Sequence, residues 1–122
     1  MIDNIFDSHA HYDDEQFDGD RDELLQSLPS KGVCAVINCA SDLKSSATSA
    51  ELSEKYPFFL CACGVHPHDA EKELKTADIN EIEKRIVNFT EKKKCVAIGE
   101  IGLDYHYDFS PRELQKEIFE LQ

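Results

Sequence analysis

Four short apolar runs, each followed by a stretch with helical patterning, restrict this chain to one fold class. Asn4–His9 reads as a strand. Asp20–Leu28 reads as a helix with Leu24, Leu25 and Leu28 on one face, ended by Pro29 and Gly32. Val33–Cys39 is apolar almost throughout, as a parallel strand covered on both sides should be. Ser41 or Asp42 can cap a polar helix that reaches about Lys55, before Pro57. Phe58–Val65 forms a third strand, and a loop through His66-Pro67-His68-Asp69 follows. Asp78, with Glu81 three residues on, has the pattern of a capping box for a helix whose stripe is Ile79, Ile82, Ile86 and Phe89. Cys95–Ile98 is the fourth strand. Ser110-Pro111-Arg112-Glu113 then opens a helix, with Ser110 as its cap, that buries Leu114, Ile118 and Leu121.

Consecutive strand–helix units imply right-handed parallel connections. No repeat, linker or low-complexity tract marks a domain boundary within the 122 residues. A small open sheet of flavodoxin type and one half of an eight-stranded barrel both fit. A complete barrel does not, because it needs about 250 residues. No phosphate-cradling glycine-rich turn follows the first strand, which disfavours the open sheet. Both architectures put their chemistry at the carboxyl ends of the strands.

Charge narrows the function. The chain carries 25 acidic against 13 basic residues, a net charge of −12, and residues 1–25 hold nine carboxylates against one base, Arg21. Such a surface repels a phosphate backbone, so sequence-independent duplex binding through a basic face is disfavoured. An enzyme that handles one phosphodiester at a time through bound cations is still allowed. The apolar runs fall far short of the roughly 20 residues of a membrane helix, and acid stands where a secretory signal carries base. The expectation is an intracellular, cytoplasmic chain with no membrane contact. The five cysteines, Cys34, Cys39, Cys61, Cys63 and Cys95, lie in or beside apolar stretches and read as small buried hydrophobes. A thiolate metal site using Cys61 and Cys63 is the sharper alternative, although structural zinc usually spaces paired cysteines more widely.

The chemistry gathers at three strand ends. In Asp7-Ser8-His9-Ala10-His11-Tyr12-Asp13, side chains two apart in extended chain project the same way. His9 and His11 can therefore address one ion, with Asp7 on the same parity to orient a histidine. In Ala97-Ile98-Gly99-Glu100-Ile101-Gly102-Leu103-Asp104, a carboxylate following an apolar strand needs a partner, since an isolated buried charge is very costly. A cation held by His9 and His11 would supply one, because the ends of strands one and four face a common barrel mouth. Gly64-Val65-His66-Pro67-His68 brings His66, and less directly His68, to the same mouth, where His66 could contact a substrate phosphate. Arg112 could reach a substrate anion or form a surface ion pair. Each motif taken alone also fits ordinary surface or loop chemistry.

Taken together, these segments resemble the TatD-related metal-dependent hydrolases. Ile5-Phe6-Asp7-Ser8-His9-Ala10-His11-Tyr12-Asp13 resembles their opening motif, with Tyr12 where Leu or Phe is usual. Gly64-Val65-His66-Pro67-His68 matches G-x-H-P-H. Ala97–Tyr105 matches A-I-G-E-x-G-L-D-[YF], and Arg112, Gln115, Phe119 and Gln122 fit R-x-x-Q-x-x-x-F-x-x-Q. The resemblance implies an α/β, TIM-like (β/α) barrel, present over 1–122 as an incomplete N-terminal half of about four β-α units. It implies divalent metal ions, two per complete site, with zinc, magnesium and manganese not distinguished. His9, His11 and Glu100 are the implied ligands, and Glu100 is also the implied catalytic residue. The implied activity is a hydrolase of phosphodiester bonds, a deoxyribonuclease of 3'-5' exonuclease type acting on DNA or nucleotide-type substrates. The family completes its site with two histidines and an aspartate from later strands, which do not occur before Gln122. The expectation is thus an inactive fragment that needs the missing C-terminal half of the barrel.

Histidine ligands must be neutral, so metal affinity is expected to fall below about pH 6. Rival readings are an amidohydrolase or phosphomonoesterase on the same scaffold, and a non-catalytic truncated domain.

Overall fold

The structure, a computed structural model, describes residues 3–122. Strands β1 (Ile5–Ala10), β2 (Val33–Cys39), β3 (Phe59–Cys63) and β4 (Cys95–Ile98) form one parallel sheet in the order β1-β2-β3-β4. The helices are α1 (Arg21–Ser27), α2 (Leu43–Lys55), α3 (Ala70–Thr76), α4 (Ile79–Thr90) and α5 (Arg112–Leu121). Each strand lies beside the next in sequence, and the order never reverses. That is the progression of a barrel wall; a flavodoxin-type sheet would change direction at a switch point.

One face of the sheet is packed against helices. Val36, Phe59, Cys61 and Cys63 are fully buried there, with Leu25 of α1, Leu52 of α2, and Ile82 and Ile86 of α4 in the same layer of cores. The opposite parity behaves differently. Ala35, Ile37 and Leu60 are only partly covered, and Phe6 is 53% exposed. Val33–Cys39 was expected to be covered on both sides, and its second side is open because four strands fill only part of a barrel interior.

The polar sequence of α2 has a local explanation. Asp42 accepts from the Ser45 amide (2.7 Å) while the Ser45 hydroxyl accepts from the Asp42 amide (2.9 Å), a complete capping box. Its buried face is then lined by serines that bond inward. Ser46 accepts from the Gly64 amide and donates to the Gly64 carbonyl, and Ser49 accepts from the Asn38 side chain. A buried hydroxyl with partners carries little penalty.

One element goes unassigned in sequence, and two expectations need correction. Ala70–Thr76 forms a helix between the His66–Asp69 loop and the Asp78 cap, where the sequence reading assigns no element; Ala70 and Leu74 pack it on the core, and the Glu71–Lys75 pair one turn apart supports it. Ser110 does not cap α5, whose cap is Pro111. The Ser110 hydroxyl instead donates to the His68 carbonyl and accepts from the Glu71 amide, tying α5 to the turn before α3. Cys34 is exposed, and Cys95 is half-buried; Cys39, Cys61 and Cys63 are buried as expected.

Candidate metal centre

His9 lies in the last turn of the pleat of β1 and His11 one residue past its end. Glu100 follows β4 by two residues, across the width of the sheet. The curl of the wall nevertheless brings the three together. The two Nε2 atoms are 3.1 Å apart, and each is 3.7 Å from Glu100 Oε2. Donor atoms held about 2 Å from a tetrahedral ion lie about 3.3 Å from one another, so this set fits a common divalent cation. Two histidines and a glutamate with open space beyond form a ligand set known from catalytic zinc, and His9 is 55% and Glu100 28% exposed.

Neighbouring groups fix the tautomers. His11 Nδ1 lies 2.8 Å from the Cys39 carbonyl, which can only accept. His11 therefore carries its proton on Nδ1 and presents the Nε2 lone pair to the cluster. His66 is the reverse case. Its Nδ1 accepts from the His68 amide (3.1 Å), so Nε2 bears the proton and faces Glu100 Oε1 at 4.0 Å. Burial pushes the His66 imidazole below its ordinary range, with the Glu100 charge opposing only in part. A neutral imidazole with Nε2–H outward is a hydrogen-bond donor and not a metal ligand. Glu100 thus offers one oxygen to the His9–His11 pair and the other to His66.

Backbone contacts hold Glu100 in place. Its amide donates to the Ala40 carbonyl (2.7 Å), and the Gly99 amide donates to the Cys63 carbonyl (3.1 Å). The Gly99–Glu100 peptide is cis. Gly64 makes room for this turn, since a Cβ there would lie 3.0 Å from the Gly99 nitrogen and 2.6 Å from Gln122 Oε1.

Asp7 shares parity with His9 as expected, but it accepts from the His9 backbone amide (3.2 Å) and does not touch a ring. His68 is close to the site without joining it, because it bonds Asp104 and lies edge-on to Phe109. Arg112 turns to the preceding loop, with its guanidinium 4.6 Å from the Tyr105 ring centre and near Asp108.

The sequence reading passed over Asn38, which is fully buried. Its oxygen accepts from the Tyr12 amide (2.6 Å), and its nitrogen donates to Asp13 and Ser49. It anchors the loop carrying His11. A polar residue inside an otherwise apolar strand was the available signal. Gln115 and Gln122 act as backbone surrogates: Gln115 pairs with both polar groups of the Asp104 main chain, and Gln122 with those of Val65.

Comparison with known proteins decides the kinship. The sequence profile of the family described as TatD related DNase matches residues 6–122. The chain belongs to this family. It is 36% identical over 118 residues to a metal-dependent hydrolase, YabD, of Bacillus subtilis, covering 97% of this chain and 44% of the relative. It is 30% identical over 118 residues to the 3'-5' ssDNA/RNA exonuclease TatD of Escherichia coli K12, with the same coverage. Among solved structures, the TatD homolog YJJV of E. coli superposes with TM-score 0.77 at 29% identity, over 99% of this chain and 46% of that one. A TatD family hydrolase of Entamoeba histolytica superposes with TM-score 0.81 at 28% identity, over 98% and 44%. The chain spans less than half the length of these TatD relatives, and its four-stranded wall is a partial TIM-like barrel.

Proposed function

We propose that residues 1–122 are the N-terminal half of a TatD-type barrel whose complete form is a divalent-metal-dependent phosphodiesterase, a 3'-5' exonuclease on single-stranded nucleic acid. The observation that carries this is the convergence of His9, His11 and Glu100 from opposite edges of the sheet onto one point. A divalent ion held there supplies Lewis acidity, which acidifies water and offsets charge growing on a phosphoryl group. The protein's own part is positional. His11, locked by Cys39, presents a lone pair, and Glu100 presents one oxygen beside it. Glu100 also accepts a proton at that edge of the site, while the His66 Nε2–H steadies its second oxygen or donates to a substrate phosphate. His66 is thus a substrate-binding group. An acidic surface suits a strand end presented singly better than a bound duplex. The half of the barrel that the relatives possess and the matched span lacks completes the cleft, and we infer that the 122 residues alone are inactive.

The test uses a complete barrel carrying these residues, with metal content and single-stranded DNA hydrolysis measured together. His9→Ala and Glu100→Ala should each lose metal and reduce turnover by at least about 100-fold, the usual scale for losing a positioned catalytic group. His66→Ala should keep the metal and lose rate. Unchanged hydrolysis and metal content in the first two variants removes the proposed site. Cleavage of nucleotide monoesters or cyclic amides, with DNA untouched, points to a phosphomonoesterase or amidohydrolase instead.

A further inference from the structure

Under α2 and α4, on the helix-covered side of the sheet, lies a second cluster that shares no residue with the histidine site. Cys61 and Cys63 stand two apart on β3 and so face the same way, and Cys61 is paired in register with Cys95 on β4. The Cys61 and Cys63 sulfurs are 3.8 Å apart, and all three Sγ atoms lie within 4.8 Å of one another. Sulfurs held about 2.3 Å from one ion stand about 3.8 Å apart in tetrahedral and about 4.0 Å apart in trigonal geometry. Ala50 and Phe89 form the apolar part of the wall, and Ser46 and Ser53 of α2 line the rest.

We propose that Cys61, Cys63 and Cys95 form a three-sulfur site for a soft monovalent cation of the copper(I) type. Thiolates select such ions, and three sulfurs suffice for them. Zinc asks for a fourth donor of Cys, His, Asp or Glu type, and the nearest hydroxyls are neutral serines, of which only Ser53 touches the cluster, at 3.8 Å from Cys61. Ser46 makes two bonds to Gly64, and Ser53 donates to the Ala50 carbonyl (2.7 Å). Without metal the three thiols have only long contacts: Cys61 to the Lys94 carbonyl, Cys63 to that of Ser46 and Cys95 to that of Ala97 at 3.6–3.7 Å, and Cys61 to the Ser53 hydroxyl and Cys63 to Cys61 at 3.8 Å. Such S–H bonds are weak and readily exchanged for metal–sulfur bonds. Cys95, half-buried on the outer strand, is the point of entry. The run Lys92-Lys93-Lys94 immediately before it offsets the negative charge of the loaded cluster in an otherwise acidic chain. Loading is ligand exchange. Metal–sulfur bonds form, each thiol that becomes a thiolate gives its proton to solvent, and no electron moves.

The experiment titrates the reduced 122-residue chain with copper(I) under argon, in competition with bicinchoninate. X-ray absorption of the loaded protein then reads the coordination shell. The expected result is one copper per chain in a shell of three sulfurs at about 2.3 Å, the distance typical of metal–thiolate bonds. Cys95→Ser should abolish uptake while circular dichroism remains unchanged. Cys34→Ser and the His9→Ala/His11→Ala pair should bind copper as the unaltered chain does, which separates this site from the histidine site. Copper left with bicinchoninate, equal uptake by Cys95→Ser, or nitrogen or oxygen in the shell overturns the proposal. Preferential uptake of zinc in a four-atom shell overturns it as well. The absorption measurement on the unaltered chain decides the question even if the variant fails to fold.

Discussion

Glu73 of α3 is a carboxylate buried against the start of α2, where its side chain's only polar contact among the described residues is a long one, 3.4 Å from the Leu43 amide. Burial pushes its carboxyl above the ordinary range, and the neighbouring Asp42 charge adds to this. A carboxyl whose folded value is raised leaves the fold most stable when protonated and weakens it as pH rises through that value. Glu73→Gln should therefore raise the melting temperature at pH 7, and the two proteins should converge below about pH 4, where the unfolded glutamate also protonates. Melting curves across that range check this; equal curves at pH 7 would mean the carboxylate is fully compensated. Gly64 is decided by space. A methyl group would press on the Gly99 backbone at 3.0 Å and 3.1 Å, so Gly64→Ala must displace the turn that carries Glu100. We expect a loss of about 1–3 kcal/mol, as for overpacking elsewhere, together with weakened metal binding. Denaturant unfolding and metal titration on the same sample measure both.

The capping box of α2 ties one element to another, because Asp42 also accepts from Lys72 of α3 (2.6 Å). Burial alone would raise the Asp42 carboxyl, but the Lys72 ammonium and the Ser45 donors outweigh it and hold it below its usual range. The stability it provides is present above the unfolded value of about 3.9 and is lost as pH falls through the folded one. Asp42→Asn keeps the cap and removes the ion pair. It should flatten this part of the acid-unfolding profile and cost up to about 1 kcal/mol at pH 7, Lys72 being largely solvent-exposed. An unchanged acid limb in a pH series of unfolding midpoints would show that the Lys72 pair adds nothing.

At the scale of the molecule, the sheet ends at β1 and β4, and Phe6, Val96 and Ile98 are exposed along it. Unpaired strand edges beside apolar side chains favour association. The 122-residue chain should sediment as concentration-dependent oligomers and bind a hydrophobic dye. A complete barrel carrying the same residues should do neither, and a strictly monomeric 122-residue chain would contradict this. The same incompleteness explains why Val33–Cys39 reads in sequence as a strand buried on both sides, yet has one open side.

Much was legible without coordinates because it depends on local spacing. Alternation of strand and helix placed the four strands to within two residues at each end, Asp78 announced its helix and Asp42 was one of two candidate caps for α2, and the His-x-His pair on one extended segment fixed which way two imidazoles point. Helix α3 escaped because its support is tertiary: Ser110 binds its first turn, and Lys72 reaches Asp42. That Glu100 meets His9 over ninety residues was anticipated from strand order and resemblance, but its distances, the opposite tautomers of His11 and His66, and the meeting of Cys95 with Cys61 and Cys63 were decided only by the curl and register of the sheet. Sequence fixes the direction of a side chain relative to its own strand. Which distant strand that side chain meets depends on how the strands pair, and that is set by packing of the whole wall.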